Sequence, residues 1–524
     1  MCMNNQEGFN LNWIKKFEIP LLIIIILIGL FIRSYNLGFL SVWIDEYMHI
    51  NPAFNWLNGR DFLQGDNNGI FLSVIVTGMF KLFGVGEFQA RFPSVIFGAG
   101  SIYMIYVIGK RLFNREVGLY SAFLIALSLF AFFMSRIARN YASFQFFYLV
   151  LFYVFIRAYE ARGQIQSETK AFFFRNELSL KYLLLFPVAF LVSLLNHQLT
   201  FFFLFSFAAY ASMLGLIEIV RSRKFILSKN TIMLILSFVG VVVLVTPLLD
   251  LVARPILNIL LNERIVNWVL PDWSYLSSLM ADPEKAYKSI GIYYGVISND
   301  FKYLHYLGFA GMILAFLYKK RSALLLIAFF LVPFLLQSFI FREPTITYYI
   351  FFILPFFIIA IAVCIYAIQD KVIFRFIFKG KKTKTVAIIN TLILLVFFKT
   401  GISYGEINSV MKTTEHGRVI KKELFNSTFV DWKKNLNFVK KQFKKDDIII
   451  STFISHTNFY LNTDKSIWFR QRKYDTVEKK YVPFHEEEDT VNYNAFSLAA
   501  LQRVFKENKR GWFLADYYFD NVMT

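Results

Sequence analysis

The stretch Ser41-Val-Trp-Ile-Asp-Glu-Tyr-Met-His-Ile50 sets two acids, Asp45 and Glu46, side by side just after a membrane-length apolar segment. A carboxylate there can take the proton of an attacking hydroxyl, which is worth about 10²- to 10⁴-fold in rate within hydrogen-bond reach. Other ionisable residues gather in the turns between later apolar segments: Arg136 and Arg139, His197, Arg254, Glu263 and Arg264, and Arg342 with Glu343. Arginine and histidine suit the developing charge of a departing phosphate. The same residue types also fit plainer roles. Acids favour a helix N-terminus, here a helix over 45–57, arginines at helix ends anchor in headgroups, and His197 can be a satisfied interfacial histidine.

The elements that must position these residues are membrane helices. The chain has 524 residues, 56% hydrophobic and 19% aromatic, with mean hydropathy +0.49, a balance that soluble domains do not show. Eleven segments approach the roughly 20 apolar residues of a membrane span: 19–33, 92–109, 117–135, 141–158, 182–196, 199–220, 231–252, 303–318, 322–341, 347–369 and 385–403. A twelfth, Ile70 to Phe83, is short, carries Lys81 and lies between GDNNG and GVGE, which predicts an interfacial helix. Residues 1–17 lack the pattern of a cleaved signal, so the first apolar segment is expected to be retained. Cys2 and Cys364 are too differently placed to pair, and no CxxC metal pattern exists.

The formal net charge of +20 invites a nucleic-acid reading, but its distribution argues for topology. With 70–83 lying on the membrane, every later basic cluster, from Lys110-Arg111 to Lys379–Lys384, falls on one side. The positive-inside rule makes that side cytoplasmic. It places the N-terminus inside, and outside it places residues 34–91, the 136–140 and 196–198 turns, the long 253–302 loop, the 342–345 turn and the C-terminus. After about Ser403 helical and strand patterns alternate: a helix over 431–445, a strand at 447–452, a helix near 457–461, a strand near 466–469, a helix at 496–508 and a strand at 511–515. That alternation predicts a small α/β domain over 404–524 following a transmembrane domain over 1–403. Asn426-Ser-Thr428 is formally a glycosylation sequon.

The helix interiors contain almost no ionisable residues, unlike pumps and transporters, which keep charges near the midplane. Chemistry at the outer surface, with a lipid as one reactant, is the better reading. Nucleotide sugars are not generally available there, so a glycosyl donor would be carried on a lipid phosphate. Its phosphate leaving group calls for Arg or His, and its acceptor hydroxyl for a carboxylate.

Several motifs then carry a family resemblance: Trp43-Ile-Asp45-Glu46, the interfacial helix ending Leu82-Phe-Gly84, Ala90-Arg-Phe-Pro-Ser94, Gly109-Lys-Arg-Leu-Phe113, Ala138-Arg139-Asn140-Tyr141 and Asn196-His197. This order resembles the C-type membrane glycosyltransferases of the protein mannosyltransferase and lipid A aminoarabinose transferase superfamily. Within it, the chain is similar to the bacterial and archaeal set with a C-terminal soluble domain. The resemblance is firm over 33–215 and returns in the soluble domain at DDIIIST, Phe459-Tyr-Leu461 and GWFLA. It implies Asp45 as the acid that activates the acceptor, with Glu46 orienting it or touching substrate. Arg139 and Tyr141 would grip the donor phosphate, and His197 matches a histidine at the outer end of its helix.

The chain departs from the family in places. Asn67-Asn-Gly69 stands where His-Pro-Pro or Lys-Pro-Pro is common, Ile137 where many members have Glu, and Tyr348-Tyr349 where Arg-Tyr opens a late helix. Arg342 is the nearest substitute for that last arginine, and Arg136 is a further candidate on the donor phosphate. Some members use a divalent ion, but adjacent carboxylates point apart on a helix, so no obligatory metal or other cofactor is expected. The expectation is a polytopic α-helical membrane protein of the C-type glycosyltransferase fold. It would transfer one sugar from a polyprenyl-phosphate donor to a hydroxyl acceptor, on protein, lipid or glycan, at the extracytoplasmic face, and bind no nucleic acid. A surface-polysaccharide polymerase or ligase, and a flippase of lipid-linked sugars, are the alternatives.

Overall fold

A computed structural model describes residues 12–59, 70–159, 180–223, 283–340 and 347–377, then 432–514 with gaps, and single positions between 232 and 408. Apart from those single positions, the spans expected at 231–252 and 385–403 lie outside the described residues, as do the sequon at Asn426 and the candidate Arg342. The helical body runs α1 (Asn12–Ser34), α2 (Tyr47–Leu57), α3 (Ile70–Phe83), α4 (Glu87–Leu112), α5 (Arg115–Ala126), α6 (Leu129–Met134), α7 (Tyr141–Tyr159), α8 (Leu180–Asn196) and α9 (Phe202–Ser222). It continues with α10 (Pro283–Phe301), α11 (Leu304–Leu314), α12 (Lys320–Ile340) and α13 (Leu354–Ala367). Among the described residues, six helices are long and apolar enough to cross a membrane, and the chain is an integral membrane protein. α13 is their centre: every residue from Leu354 to Ala367 is buried. α11 can lie against it because Gly311 has no Cβ, which would stand 1.9 Å from the Ala360 carbonyl.

Two expectations are corrected. The segment 117–135 is not one helix but α5 and α6, broken at Leu127-Ser128. Part of the loop expected over 253–302 is the 19-residue helix α10. These two departures are linked. Arg33, in the last turn of α1, donates to the terminal carbonyls of α5, at 3.0 Å to Ile125 and 2.8 Å to Ala126. Asp300, near the end of α10, accepts from the Ser128 hydroxyl at 2.6 Å and from the Phe130 amide at 3.2 Å, both at the start of α6. A cation at a helix C-terminus and an anion at an N-terminus match the helix dipoles and supply the partners a break would otherwise lack. Among the described residues, the nearly charge-free interior expected from the apolar runs is thus interrupted by Arg33 and Asp300, each capping one side of this break. Gly98 makes room for this knot, since a Cβ there would lie 2.2 Å from Ser135 Oγ.

The C-terminal part contains α14 (Trp432–Gln442), β1 (Ile448–Ser451), α15 (Ile454–Leu461), β2 (Ser466–Phe469), β3 (Arg472–Asp475), β4 (Lys480–Pro483), β5 (Asn494–Ala495), α16 (Leu498–Glu507) and β6 (Gly511–Leu514). A four-stranded parallel sheet has the order β5-β2-β1-β6, and β3 pairs antiparallel with β4. Ile449 and Ile450 of the central strand are buried on opposite faces. A parallel strand is covered on both faces, so it reads as an unbroken apolar run, here Ile448-Ile-Ile450.

Candidate active site

The chain between α1 and α2 is irregular, so its backbone groups need partners from elsewhere. Arg91, in the second turn of α4, provides them. Its guanidinium donates to the carbonyls of Leu37 (3.0 Å), Leu40 (2.8 Å) and Ser41 (2.8 Å). It also holds both oxygens of Glu46 at 2.8 Å. Glu46 is wholly buried. Oε1 accepts a further bond from the Ala138 amide at 2.6 Å, and Oε2 one from the Trp43 amide at 2.7 Å. A carboxylate has about four acceptor positions, and Glu46 uses all of them. Its geometry serves the loop, joining a short 3-10 turn at Ile44–Glu46 to α4 and to the turn before α7.

Asp45 differs from its neighbour. It is half-buried, and among the described residues no hydrogen bond reaches its carboxylate. Burial raises its pKa above the ordinary aspartate value; the nearby Arg139 charge opposes that rise and Glu46 adds to it. Arg139 Nη1 donates to the Asp45 carbonyl at 3.0 Å and contacts Met48 Sδ at 2.6 Å, while Nη2 donates to the Tyr141 hydroxyl at 3.1 Å. The guanidinium also stands over the Tyr141 ring at 5.3 Å. The acid and the arginine therefore sit close enough to interact electrostatically, and the same guanidinium holds Tyr141.

His197 stands next to Tyr141. It is the N-cap of a 3-10 turn, Gln198–Phe201, and its Nδ1 accepts from the Leu199 amide at 3.2 Å. With Nδ1 an acceptor, the proton of the neutral ring is on Nε2. Its ring stacks on Phe144 at 5.1 Å and lies 6.4 Å from that of Tyr141. Burial, aided by the Arg139 charge, pulls its pKa down to about 3. Asn140 ties the two turns together, donating to the Asn196 carbonyl at 2.6 Å.

The structure therefore brings together Asp45, Glu46, Arg139, Tyr141 and His197. Arg136 points elsewhere: it donates to the carbonyls of Ile32 (3.1 Å), Arg33 (2.9 Å) and Tyr35 (2.7 Å), closing the C-terminus of α1. Its neighbour Arg139, three residues on, is the one beside Asp45. Arg91 was missed as a functional residue, although it stands in the Ala90–Ser94 motif. The available signal was an arginine at the mouth of an apolar helix after a loop with two acids, because a buried charge must be paired. Among the described residues no group of three or more His, Cys, Asp or Glu side chains could hold a metal ion. Asp45 would be the one carboxylate of the adjacent pair left to offer, since Glu46 is fully engaged.

Comparisons with known proteins bear on the fold around this site. Residues 67–249 match the model of the dolichyl-phosphate-mannose-protein mannosyltransferase family. An uncharacterized protein of Aquifex aeolicus (strain VF5) is 30% identical over 149 residues, 27% of this chain and 29% of that protein, so less than a third of the relative's length is matched. The archaeal oligosaccharyltransferase AglB from Archaeoglobus fulgidus, in complex with an inhibitory peptide and a dolichol-phosphate, superposes with a TM-score of 0.55 at 14% identity, over 86% of this chain and 60% of that one. ArnT from Cupriavidus metallidurans in the apo state gives 0.55 at 12% identity, over 87% and 86% of the two chains. The same protein bound to undecaprenyl phosphate gives 0.51 at 14%, over 86% of each. At such identities the structural likeness is one of fold.

Proposed function

For a chain that has the C-type membrane glycosyltransferase fold and matches the mannosyltransferase family over part of its length, we propose that it transfers a single sugar from a polyprenyl-phosphate carrier to an acceptor hydroxyl. The acceptor oxygen attacks the anomeric carbon while the bond from that carbon to the phosphate oxygen breaks. The hydroxyl proton passes to Asp45, and the electron pair leaves with the lipid phosphate. Arg139, set by Tyr141 and Met48, neutralises the charge that develops there. Direct displacement inverts the anomeric centre. Glu46 and Arg91 hold the loop in register, and His197 walls the donor side as a neutral Nε2–H donor. No metal is required in this reading. The distribution of basic clusters supports a cytoplasmic N-terminus and an extracytoplasmic site.

The observation that carries the proposal is the contrast between the adjacent acids: the Glu46 carboxylate accepts four hydrogen bonds, and that of Asp45, beside a guanidinium, accepts none among the described residues. The neighbouring structures named with dolichol-phosphate and undecaprenyl phosphate support a lipid-phosphate carrier. The test is mass spectrometry of lipid-linked sugars and surface glycans in a deletion strain, complemented with wild type or Asp45→Asn. Accumulated polyprenyl-phosphate sugar with one missing glycan, restored by wild type alone, is expected. Unchanged pools in the deletion strain, or full rescue by Asp45→Asn, would reject the assignment.

A further inference from the structure

The loop carrying Asp45 is held from a second direction. Val42, three residues before Asp45, gives its amide to the Tyr460 hydroxyl at 2.8 Å, and its carbonyl accepts from His456 Nε2 at 3.2 Å. The Lys433 amide, in the first turn of α14, donates to Ser41 Oγ at 3.0 Å, so the loop hydroxyl takes one of that helix's free N-terminal amides. The Lys433 ammonium reaches the Gly38 carbonyl at 2.7 Å and pairs with Glu87 at 2.9 Å. Asn51 of α2 donates to Ser455 at 3.0 Å.

Apolar packing backs these bonds. Phe459 joins Val42, Tyr47, Leu72, Val76 and Phe80 in one buried cluster. The Tyr47 ring meets His456 edge-on at 4.6 Å, and Trp432 stacks on the same imidazole at 4.8 Å. Residues 455, 456, 459 and 460 share one face of α15, and all four touch the segment that carries Asp45 or its packing. Burial pulls the His456 pKa down to about 3, so the ring is neutral at physiological pH and donates through Nε2–H.

Val42 is bonded through its backbone, and the register of the loop is what those bonds fix. Arg91 takes the carbonyls of residues 37, 40 and 41 from the membrane-domain side. α14 and α15 take the remaining groups at 38, 41 and 42 from the other. Resting on the function proposed above, we infer that the C-terminal unit is a clamp on the catalytic loop, with Tyr460 and His456 as positioning residues for Asp45. Displacing a reacting group by about 1 Å can cost on the order of 10²-fold in rate, and a clamp of this kind prevents that without touching substrate.

The experiment uses the full chain in nanodiscs and two readouts, amide hydrogen exchange over residues 38–46 and steady-state transfer from a polyprenyl-phosphate sugar. Tyr460→Phe keeps the ring and removes the acceptor of the Val42 amide. Exchange over 38–46 should rise about fivefold, the worth of one neutral hydrogen bond, with α12 unchanged. kcat should fall by a similar factor, with KM for the lipid donor unaltered. His456→Gln can still present an amide donor near the position of Nε2 and should retain turnover, whereas His456→Leu should not. Lys433→Met, at the rim, should give the same pattern more weakly and serves if either core variant misfolds. Unchanged exchange, or faster exchange with unchanged kcat, overturns the clamp. Retained transfer in Asp45→Asn would instead reject the chemical role of Asp45, and the exchange data would still report whether the clamp exists.

Discussion

Two acid–arginine couples lie side by side at the mouth of the helical body, one a direct ion pair and the other only an electrostatic neighbourhood, and they are built on opposite principles. In one, Glu46 and Arg91 are both buried and mutually saturated, and every donor and acceptor between them has a partner in the loop or in the turn before α7. In the other, Arg139 is fastened by the Asp45 carbonyl, Met48 and Tyr141, yet the Asp45 carboxylate accepts no hydrogen bond among the described residues and is left with a raised pKa. Saturation makes an acid a girder. An acid held at a fixed place with open lone pairs can take a proton. Adjacent residues of nearly the same chemistry thus separate by their hydrogen bonds, as position in the sequence could not separate them.

The sharpest way to break this comparison is to neutralise each acid in turn. Asp45→Asn should cut transfer by about 10²- to 10⁴-fold, the usual worth of a general base. It should leave the melting temperature of the purified protein unchanged or slightly higher, because burial already disfavours the charge at that position. Glu46→Gln should do the reverse in kind. It strands the Arg91 charge in the interior, which costs about 3–5 kcal/mol, so thermal stability in detergent should fall markedly, with activity lost in proportion to folded protein. If the two variants show the same loss of stability, or if Glu46→Gln alone abolishes turnover in a fully folded protein, the division of roles is wrong.

How much of this was legible in the sequence follows the same line. Hydropathy located most of the helices, and Ile70–Phe83 appears as a helix with the expected bounds. The alternation after Ser403 placed three of the four strands of the parallel sheet in order with the helices between them, but neither β5 nor the β3–β4 pair. The convergence of Asp45, Arg139 and Tyr141 was also readable, from motif order. The break at Leu127-Ser128 was not, because the residues around it are apolar and the groups that stabilise it, Arg33 and Asp300, lie 92 and 172 positions away. The separate fates of Arg136 and Arg139 were equally hidden. Both sit at a helix mouth, and only the nearby end of α1 decides that one caps carbonyls while the other faces the acid.

Arg139→Gln tests whether the open pair works as a pair. Loss of one charge-stabilising donor costs about 10²- to 10³-fold in kcat, and a loss in that range is expected in single-turnover assays with saturating lipid donor. The pH dependence sharpens the test. Activity requires ionised Asp45, so the rate rises with pH through its pKa, which lies above the ordinary aspartate value of 3.8. Arg139 acts to lower that pKa, so its removal should move the acid limb of the profile to higher pH. A limb that stays in place or moves to lower pH would show that the two groups do not interact in the working enzyme.

The smallest effect is expected at His197, where the comparison of saturated and open groups gives a defined answer. The Oδ1 of asparagine can replace Nδ1 as the acceptor of the Leu199 amide, so His197→Asn should keep the cap and lose the Nε2–H donor and the ring contacts to Phe144, Tyr141 and Tyr349, of which the stacking on Phe144 is worth about 0.5–1.5 kcal/mol. His197→Phe keeps an aromatic ring and loses the cap, a cost of about 1 kcal/mol. With a pKa near 3 the imidazole is neutral wherever Asp45 titrates. The acid limb of the rate profile should therefore stay at the same pH in His197→Asn, and any change in rate should appear as a uniform scaling. If the limb shifts or disappears, the titrating base is the histidine, and Asp45 would join Glu46 as a residue that shapes the loop.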